Sequence, residues 1–198
     1  MGLFLWKLGE KIERALVKLK VKFIYRKIFK SFGNNSFLNR TLMLINPDRI
    51  IVGDNVNILK NAWLSVNPID NADDCFLEIG DGSSIGHFCH IYATKKISIG
   101  KKVLIADKVY ISDNLHSYED VSIPVIDQRI KQLSEVEIGY GSWIGENVCI
   151  IGSKIGKNCV IGANSVVTKD IPDYCVAVGI PAEVIKKYNV KKGVWDKV

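Results

Sequence analysis

Large aliphatic residues recur every six positions through most of this chain. The fifteen positions that follow this spacing form five triplets: Val52, Ile58, Leu64; Ile79, Ile85, Ile91; Ile99, Ile105, Ile111; Ile138, Ile144, Ile150; and Ile155, Ile161, Val167. Two residues before each of them stands an uncharged residue, which is mostly small or β-branched. Two inward positions that lie two residues apart, repeated with a period of six, indicate a short strand followed by a turn.

Three such units close one triangular coil of about 18 residues, and the coils stack at about 4.8 Å. Ten of the 16 glycines directly follow Ile or Val, where the lack of a Cβ lets the backbone turn. The pattern predicts an all-β solenoid, a parallel β-helix, over residues 50–180, with five complete coils and a partial sixth around Val176 to Gly179. Cys89 and Cys159 take inward positions, so we expect core packing from them rather than a redox or metal role.

Composition and charge exclude several other classes of protein. The chain is 47% hydrophobic and 24% charged, which is typical of a globular domain. Its longest stretch without a formal charge, Gly82 to Thr94, is too short to cross a bilayer. Charged residues interrupt the apolar part of the N-terminus, so no secretory signal is expected. The five cysteines contain no CxxC pair, which favours reduced thiols in a cytoplasmic protein over disulfides or zinc.

The positive charge is concentrated at the N-terminus. Residues 1–31 carry nine Lys or Arg and two Glu, a balance of +7, whereas the rest carries 18 positive and 19 negative residues. The body therefore gives no support to nucleic-acid binding. Residues 1–35 are predicted to form a basic amphipathic helical appendage that packs on the oligomer or lies on an anionic membrane. Its apolar stripe is Leu5, Leu8, Ile12, Ala15, Leu19 and Phe23, with Lys7, Lys11, Arg14, Lys18 and Lys22 opposite.

One long segment interrupts the repeat. Residues 114–135 are too many for a turn between coils, so they are predicted to form an extruded loop, and they contain His116, one of three histidines. His116 comes one residue before the next expected inward position, and it should therefore point outward. After the last coil, residues 181–198 are predicted to form a turn into a short helix and a tail.

The segments EIGYGSWIGENVCI, KIGKNCVIGANSVVTKDIP and VAVGIPAEVIK resemble the hexapeptide-repeat acyltransferases. Within them the chain is most similar to sugar O-acetyltransferases of surface-polysaccharide synthesis, and to galactoside, maltose and virginiamycin-type acetyltransferases, over about residues 50–187. The resemblance implies a left-handed β-helix, a homotrimer, and an acetyl-CoA-dependent enzyme without a metal. It also implies acetyl transfer to a hydroxyl of a small-molecule or lipid-linked sugar. The cysteines and the basic N-terminal segment predict that this reaction takes place in the cytoplasm or at the inner face of the membrane.

The resemblance also implies roles for individual residues. It makes His116 the general base, although relatives often carry Asp-His-x-His where this chain has Asp113-Asn114-Leu115-His116. It assigns cofactor contacts to Trp143, Gly145, Ala163, Thr168, Lys169 and Lys186. Glu183 stands where relatives carry an Arg, so one phosphate contact is expected to be missing.

Several of these residues, and the chain as a whole, also fit other roles. His116 would also fit a solvent-exposed loop histidine, Trp143 a residue buried under a terminal helix, and each Lys a solvated surface charge. The whole chain would also fit a catalytically silent scaffold subunit, although a scaffold has no reason to extrude a loop. A serine acetyltransferase is disfavoured because its large N-terminal helical domain is absent. A γ-class carbonic anhydrase is disfavoured because His87, His90 and His116 have the wrong spacing for its zinc site.

Overall fold

The computed structural model describes residues 2–69 and 74–198, and gives the backbone alone for Glu10, Glu13, Arg14, Lys18 and Lys22. The chain begins with helix α1, Gly2–Lys20, which continues through a π-helical segment, Val21–Tyr25, into a short α2, Arg26–Ile28. Among the described residues, no helix combines the length and apolar character that a bilayer crossing requires.

The body consists of coils with three short strands each. Coils one to three contain β1 to β9 in chain order: Ser31–Phe32, Phe37–Leu38, Met43–Ile45; Ile50–Val52, Asn57–Ile58, Trp63–Val66; and Phe76–Ile79, Ser84–Ile85, His90–Ala93. Coil four contains β10 to β12: Lys96–Ile99, Leu104–Ile105 and Tyr110–Ser112. A hairpin then leaves the stack, with β13 at Asn114–His116 and β14 at Ile130–Gln132.

The stack resumes after the hairpin. Coils five and six contain β15 to β20: Val136–Ile138, Trp143–Ile144, Cys149–Ile151; and Lys154–Ile155, Val160–Ile161, Val166–Val167. Three further strands follow, β21 at Cys175–Gly179, β22 at Ala182–Asn189 and β23 at Val194–Lys197. Short 3-10 helical turns lie at Pro47–Arg49 and at Val125–Asp127.

Equivalent strands of successive coils pair in parallel and form three sheets. The first sheet has the order β1-β4-β7-β10-β15-β18, and the second runs β2-β5-β8-β11-β16-β19-β21-β22-β23. The third contains β3, β6, β9, β12, β17 and β20, again in the order of the coils. The register holds equivalent side chains above one another, as when Ile111 pairs with both Ile91 and Ile150. The aliphatic positions therefore form continuous internal columns.

The period of six correctly predicts the core. All fifteen aliphatic positions are at most 1% exposed, and so are all fifteen positions two residues before them. Cys89 and Cys159 are among these buried residues, as expected. Small inward residues also satisfy the backbone: the Ser142 hydroxyl donates to the Gly156 carbonyl at 2.8 Å and accepts from the Cys159 amide at 2.9 Å.

The stack starts one coil earlier than the predicted boundary at residue 50. Phe32, Leu38 and Leu44 keep the spacing of six, and all three belong to or pack against the core. The sequence pattern missed them because Phe and Leu replace the Ile or Val that precede glycine elsewhere. The helical segment therefore ends at Ile28, and residues 31–35 belong to coil one rather than to the appendage.

The predicted helix over 181–198 is wrong. Residues Ala182–Asn189 form a long strand that pairs antiparallel with Cys175–Gly179, and Val194–Lys197 pairs antiparallel with it in turn. Ala182 and Val184 alternate with exposed neighbours and pack against the core. This alternation with a period of two places one apolar face on the stack, which a strand achieves and a helix of this sequence does not.

Candidate active site

His116 lies on the hairpin that leaves the stack after coil four. Asn114–His116 pairs antiparallel with Ile130–Gln132, and His116 is directly opposite Ile130. The imidazole is exposed, as its outward position in the sequence predicts. Strand pairing therefore gives the backbone of His116 a defined conformation, while the side chain stays open to solvent.

A buried carboxylate anchors the root of this hairpin. Asp113 is fully buried and accepts hydrogen bonds from the backbone amides of Thr94 and Lys95, both at 2.7 Å, and of Lys96 at 2.8 Å. The side-chain amide of Asn114 also donates to it, at 3.1 Å. Several donors of this kind offset the cost of burying a charge. The carboxylate thereby fastens the start of the hairpin to the end of coil three.

Gln132 fastens the returning strand to the same point. Its amide nitrogen donates to the Asp113 carbonyl at 2.7 Å, and its amide oxygen lies 2.9 Å from the Thr94 hydroxyl. The Leu133 amide donates to the same Asp113 carbonyl at 2.8 Å. Both strands that carry the His116 loop are thus bound to one buried polar cluster, which the spacing of sequence motifs did not indicate.

A salt bridge links the two arms of the hairpin further out. The Lys131 ammonium contacts the Glu119 carboxylate. Mainly because of this hydrogen bond, the pKa of Glu119 is lowered to about 2. Both groups are exposed, so the bridge orients the arms more than it stabilises the fold.

Trp143 belongs to a second group of residues, on the outer face of the second sheet. Half of its surface is exposed, 50%, and its strand neighbours are Leu104 on one side and Val160 on the other. Val160 pairs with Val176, which pairs with Lys186. These strand neighbours, from Leu104 and Trp143 to Lys186, form a row across the second sheet. The exposed ammonium group of Lys186 lies three strands, or about 14 Å, from the exposed ring of Trp143.

Gly145 and Ala163 lie at the corner beside this row. A Cβ on Gly145 would come within 2.6 Å of the Ala163 backbone nitrogen, so only glycine allows the two coils to approach so closely. The close stacking of the coils is enough to explain why residue 145 is a glycine. Ala163, in contrast, is exposed to solvent. Thr168 and Lys169 are also exposed, but they follow β20 at the far end of the third sheet.

One chain does not bring His116 and Trp143 together. Trp143 lies on the second sheet, whereas the His116 hairpin begins beyond the far end of β12 in the third sheet. The six predicted cofactor residues are divided in the same way, with Thr168 and Lys169 on the side of the hairpin. A site that used both groups would need surfaces from two copies of the chain.

His90 has a packing role that the sequence did not indicate. Its ring stacks on Trp63 at a centroid distance of 4.1 Å and an interplanar angle of 20°, and Tyr110 contacts its edge at 5.2 Å. Burial lowers the pKa of His90, which favours the neutral imidazole. His90 therefore belongs to an aromatic cluster on the third sheet.

The five cysteines differ in how far they are exposed. All five are free; burial raises the pKa of Cys89 to about 11 and also raises that of Cys159, while Cys149 is partly exposed. Iodoacetamide at pH 8 is expected to label Cys149 at least about 10-fold faster than Cys89, because the reagent needs an accessible thiolate. Peptide mass spectrometry measures both rates, and denatured protein is the control. Equal rates in the native protein would contradict the burial of Cys89.

Comparison with known proteins relates this chain to sugar acetyltransferases. No protein-family model matches it. The putative lipopolysaccharide biosynthesis O-acetyl transferase WbbJ of Escherichia coli K12 is 40% identical over 124 residues, 59% of this chain and 63% of that protein. Galactoside O-acetyltransferase of the same organism is 31% identical over 178 residues, 89% of this chain and 63% of that protein. The chain thus spans less than two thirds of the length of these two relatives.

A solved structure decides the family. The maltose O-acetyltransferase of Clostridium difficile 630 is 31% identical, with 91% of this chain and 84% of that one covered and a TM-score of 0.57. The chain belongs to the hexapeptide-repeat acetyltransferases. Its fold is shared by a hexapeptide-repeat acetyltransferase of Vibrio cholerae in complex with acetyl-CoA, at 22% identity, 93% and 85% coverage and a TM-score of 0.60. In the present chain, the strands of successive coils pair in parallel in three sheets, which fits a left-handed β-helix.

Proposed function

We propose that this protein is an acetyl-CoA-dependent O-acetyltransferase that acts on a hydroxyl of a sugar or glycan precursor in surface-polysaccharide synthesis. The observation that carries the proposal is the hairpin, which presents the exposed imidazole of His116 from a root fixed by Asp113. A scaffold has no need for such an anchored loop. The names of WbbJ and galactoside O-acetyltransferase support a sugar hydroxyl as acceptor.

His116 would act as the general base. An imidazole has its ordinary pKa near neutrality, so it can take the proton of the acceptor hydroxyl while the oxygen attacks. Acetyl-CoA would supply an acetyl group already activated as a thioester. The antiparallel pairing of Asn114–His116 with Ile130–Gln132 fixes the backbone that carries this imidazole, which would reduce the entropy lost when base and acceptor are aligned.

The row on the second sheet has the chemistry that coenzyme A requires. Trp143 and Leu104 offer an apolar surface for the pantetheine arm, and Lys186 offers a positive charge for phosphate. The small, exposed side chain of Ala163 leaves room beside the row, and Gly145 would line its edge. Thr168 and Lys169 would contact the adenine end.

We propose a homotrimer because the two groups of residues lie on different faces of one chain. In a closed three-fold assembly, the His116 hairpin of each copy could face the Trp143 row of the next, giving three equivalent sites. The half-exposed Trp143 and Leu104 would then lie at a covered groove, which removes apolar surface from water. Light scattering should give three times the mass of the chain, and a fully active monomer would overturn the assembly.

The five free cysteines fit the reducing cytoplasm, and we propose that location for the enzyme.

Trp143→Ala is expected to weaken coenzyme A binding about 10-fold, because the ring would lose its contact with the pantetheine arm. The free energy of unfolding should change little, since half of the ring is already exposed. Calorimetric titration with coenzyme A measures the affinity. Tyr140→Ala, which removes an aromatic ring with 55% exposure from the turn before β16, is the control.

Thermal unfolding in the presence of coenzyme A tests the proposed function. The wild-type protein should be stabilised by about 2.7 kcal/mol at a coenzyme A concentration of 100 times Kd. If neither coenzyme A nor acetyl-CoA raises its Tm, the scaffold alternative is correct. If Tyr140→Ala weakens binding as much as Trp143→Ala does, the row is not the binding surface.

A further inference from the structure

The N-terminal helix carries an exposed apolar stripe. Its members in α1 are each between 42% and 59% exposed, and they follow the spacing of one helix face: Leu5, Leu8, Ile12, Leu16 and Leu19. At the start of the helix, Phe4 and Trp6 are 71% and 62% exposed. Such an exposed apolar surface usually marks a binding surface.

The body of the chain does not cover this stripe. The helical segment contacts the body through Val17, which is 7% exposed, and through Val21 and Tyr25, which pack against the core. At 100° per residue, Val17 lies about 140° from Ile12 and about 180° from Leu8 around the helix axis. Leu5, Leu8 and Ile12 therefore point away from the stack of coils, whereas the half-exposed Leu16 and Leu19 border the groove where the helix meets coil one.

The charges around the stripe are almost all positive. Lys7 and Lys11 are exposed on the neighbouring face of the helix. Where the helix meets coil one, Lys20 and Arg40 line the same groove as the apolar Leu16 and Leu19. Residues 1–31 carry +7 from nine cations and two anions, whereas the rest of the chain carries −1 from 18 cations and 19 anions.

This charge distribution selects among the surfaces that could cover the stripe. A second copy of the helix would bring its own +7 close to the first, and the nearly neutral body offers little compensation. An anionic lipid surface matches both the positive charge and the apolar stripe of the helix. It attracts Lys and Arg, and it accepts apolar side chains below the headgroups. The exposed aromatic residues at the start of the helix, Phe4 and Trp6, suit the interface between headgroups and acyl chains.

We propose that residues 2–25 bind the surface of a membrane that contains anionic phospholipids, with the stripe among the acyl chains and the lysines at the phosphates. The helix lies in the plane of the membrane and holds the stack of coils beside it. This surface is separate from the proposed acetyltransferase site, so its test does not depend on enzymatic activity.

Co-sedimentation with vesicles tests the proposal on the full chain. The protein should pellet with vesicles of phosphatidylcholine and phosphatidylglycerol in equal parts and stay in the supernatant with phosphatidylcholine alone. In about 1 M salt, where the Debye length falls to about 3 Å, binding should weaken strongly. Equal binding to both kinds of vesicle, or none to either, would overturn the proposal.

Paired variants separate the contributions of the stripe and of the charges. Leu8→Glu with Ile12→Glu should lower partitioning at least about 10-fold, because two carboxylates enter the apolar face. Lys7→Gln with Lys11→Gln keeps that face and should lower partitioning about 10-fold through charge alone. Val190→Glu with Val198→Glu adds the same two charges at residues with 72% and 79% exposure elsewhere, and should stay within about 2-fold of wild type.

Two results would reject the lipid surface as the occupant. If Leu8→Glu with Ile12→Glu binds vesicles like the wild type, the stripe does not contact lipid. If that variant changes the mass measured by light scattering without vesicles, the stripe is a contact between copies of the chain. Circular dichroism of each variant checks that the helix is retained.

Discussion

His116→Ala is expected to lower kcat by about 10²- to 10⁴-fold, the usual contribution of a positioned general base. Folding and acetyl-CoA affinity should stay close to wild type, because the side chain is exposed and its removal leaves no cavity. Steady-state kinetics with a sugar acceptor measure the loss. The matched control is His87→Ala, another histidine that is not fully buried, which should keep kcat within about 2-fold.

Other outcomes of this experiment point to other mechanisms. Poor acetyl-CoA binding with a nearly normal kcat would mean that His116 orders the donor instead of taking a proton. Direct transfer also predicts that acetyl-CoA alone leaves the protein unmodified in mass spectrometry. A stoichiometric acetyl group on Cys149 that is needed for turnover would replace the mechanism with a two-step one.

Asp113→Ala is expected to lower the free energy of unfolding by about 3 kcal/mol or more. The carboxylate accepts from the backbone amides of Thr94, Lys95 and Lys96, and its loss leaves these donors without their partner. Urea unfolding measures the change. Acetyl transfer should fall as well, because the hairpin that carries His116 loses the anchor at its root.

Asp127→Ala is the matched control for this prediction. Asp127 lies at the exposed tip of the same hairpin, so the same substitution there should change the free energy of unfolding by less than about 0.5 kcal/mol. If the two variants unfold at the same urea concentration, Asp113 does not stabilise the root of the hairpin. A stable Asp113→Ala protein with full activity would lead to the same conclusion.

The stack of coils is predictable from the sequence because the requirement for an aliphatic residue recurs at a fixed short spacing along the chain. Ile105 must be aliphatic since a column of equivalent residues surrounds it, and the residues six positions away obey the same rule. The same period of six predicts that His116 and Trp143 point outward, because neither residue falls on an inward position. The family resemblance then supplies chemical roles, which a period of six does not contain.

The elements that the sequence missed depend on contacts between distant residues. The anchor joins Thr94 to Asp113 and Gln132, which lie 19 and 38 positions further along the chain. Thr94 and Gln132 belong to no motif, and the pattern that contains Asp113 and His116 does not indicate the partners of Asp113. The C-terminal strands were missed for a similar reason, since the pairing of Ala182–Asn189 with Cys175–Gly179 competes with a local tendency to form a helix.

The antiparallel strands β22 and β23 also limit how far the stack can grow. A parallel solenoid ends in a row of backbone donors and acceptors identical to the row inside, so another chain could add there as the next coil. In the second sheet, β22 occupies that row on β21, and β23 lies outside it with its direction reversed. The outermost strands carry Lys186, Lys187 and Lys197, charges that disfavour further pairing. The C-terminus thus protects this sheet against end-to-end polymerisation into fibres.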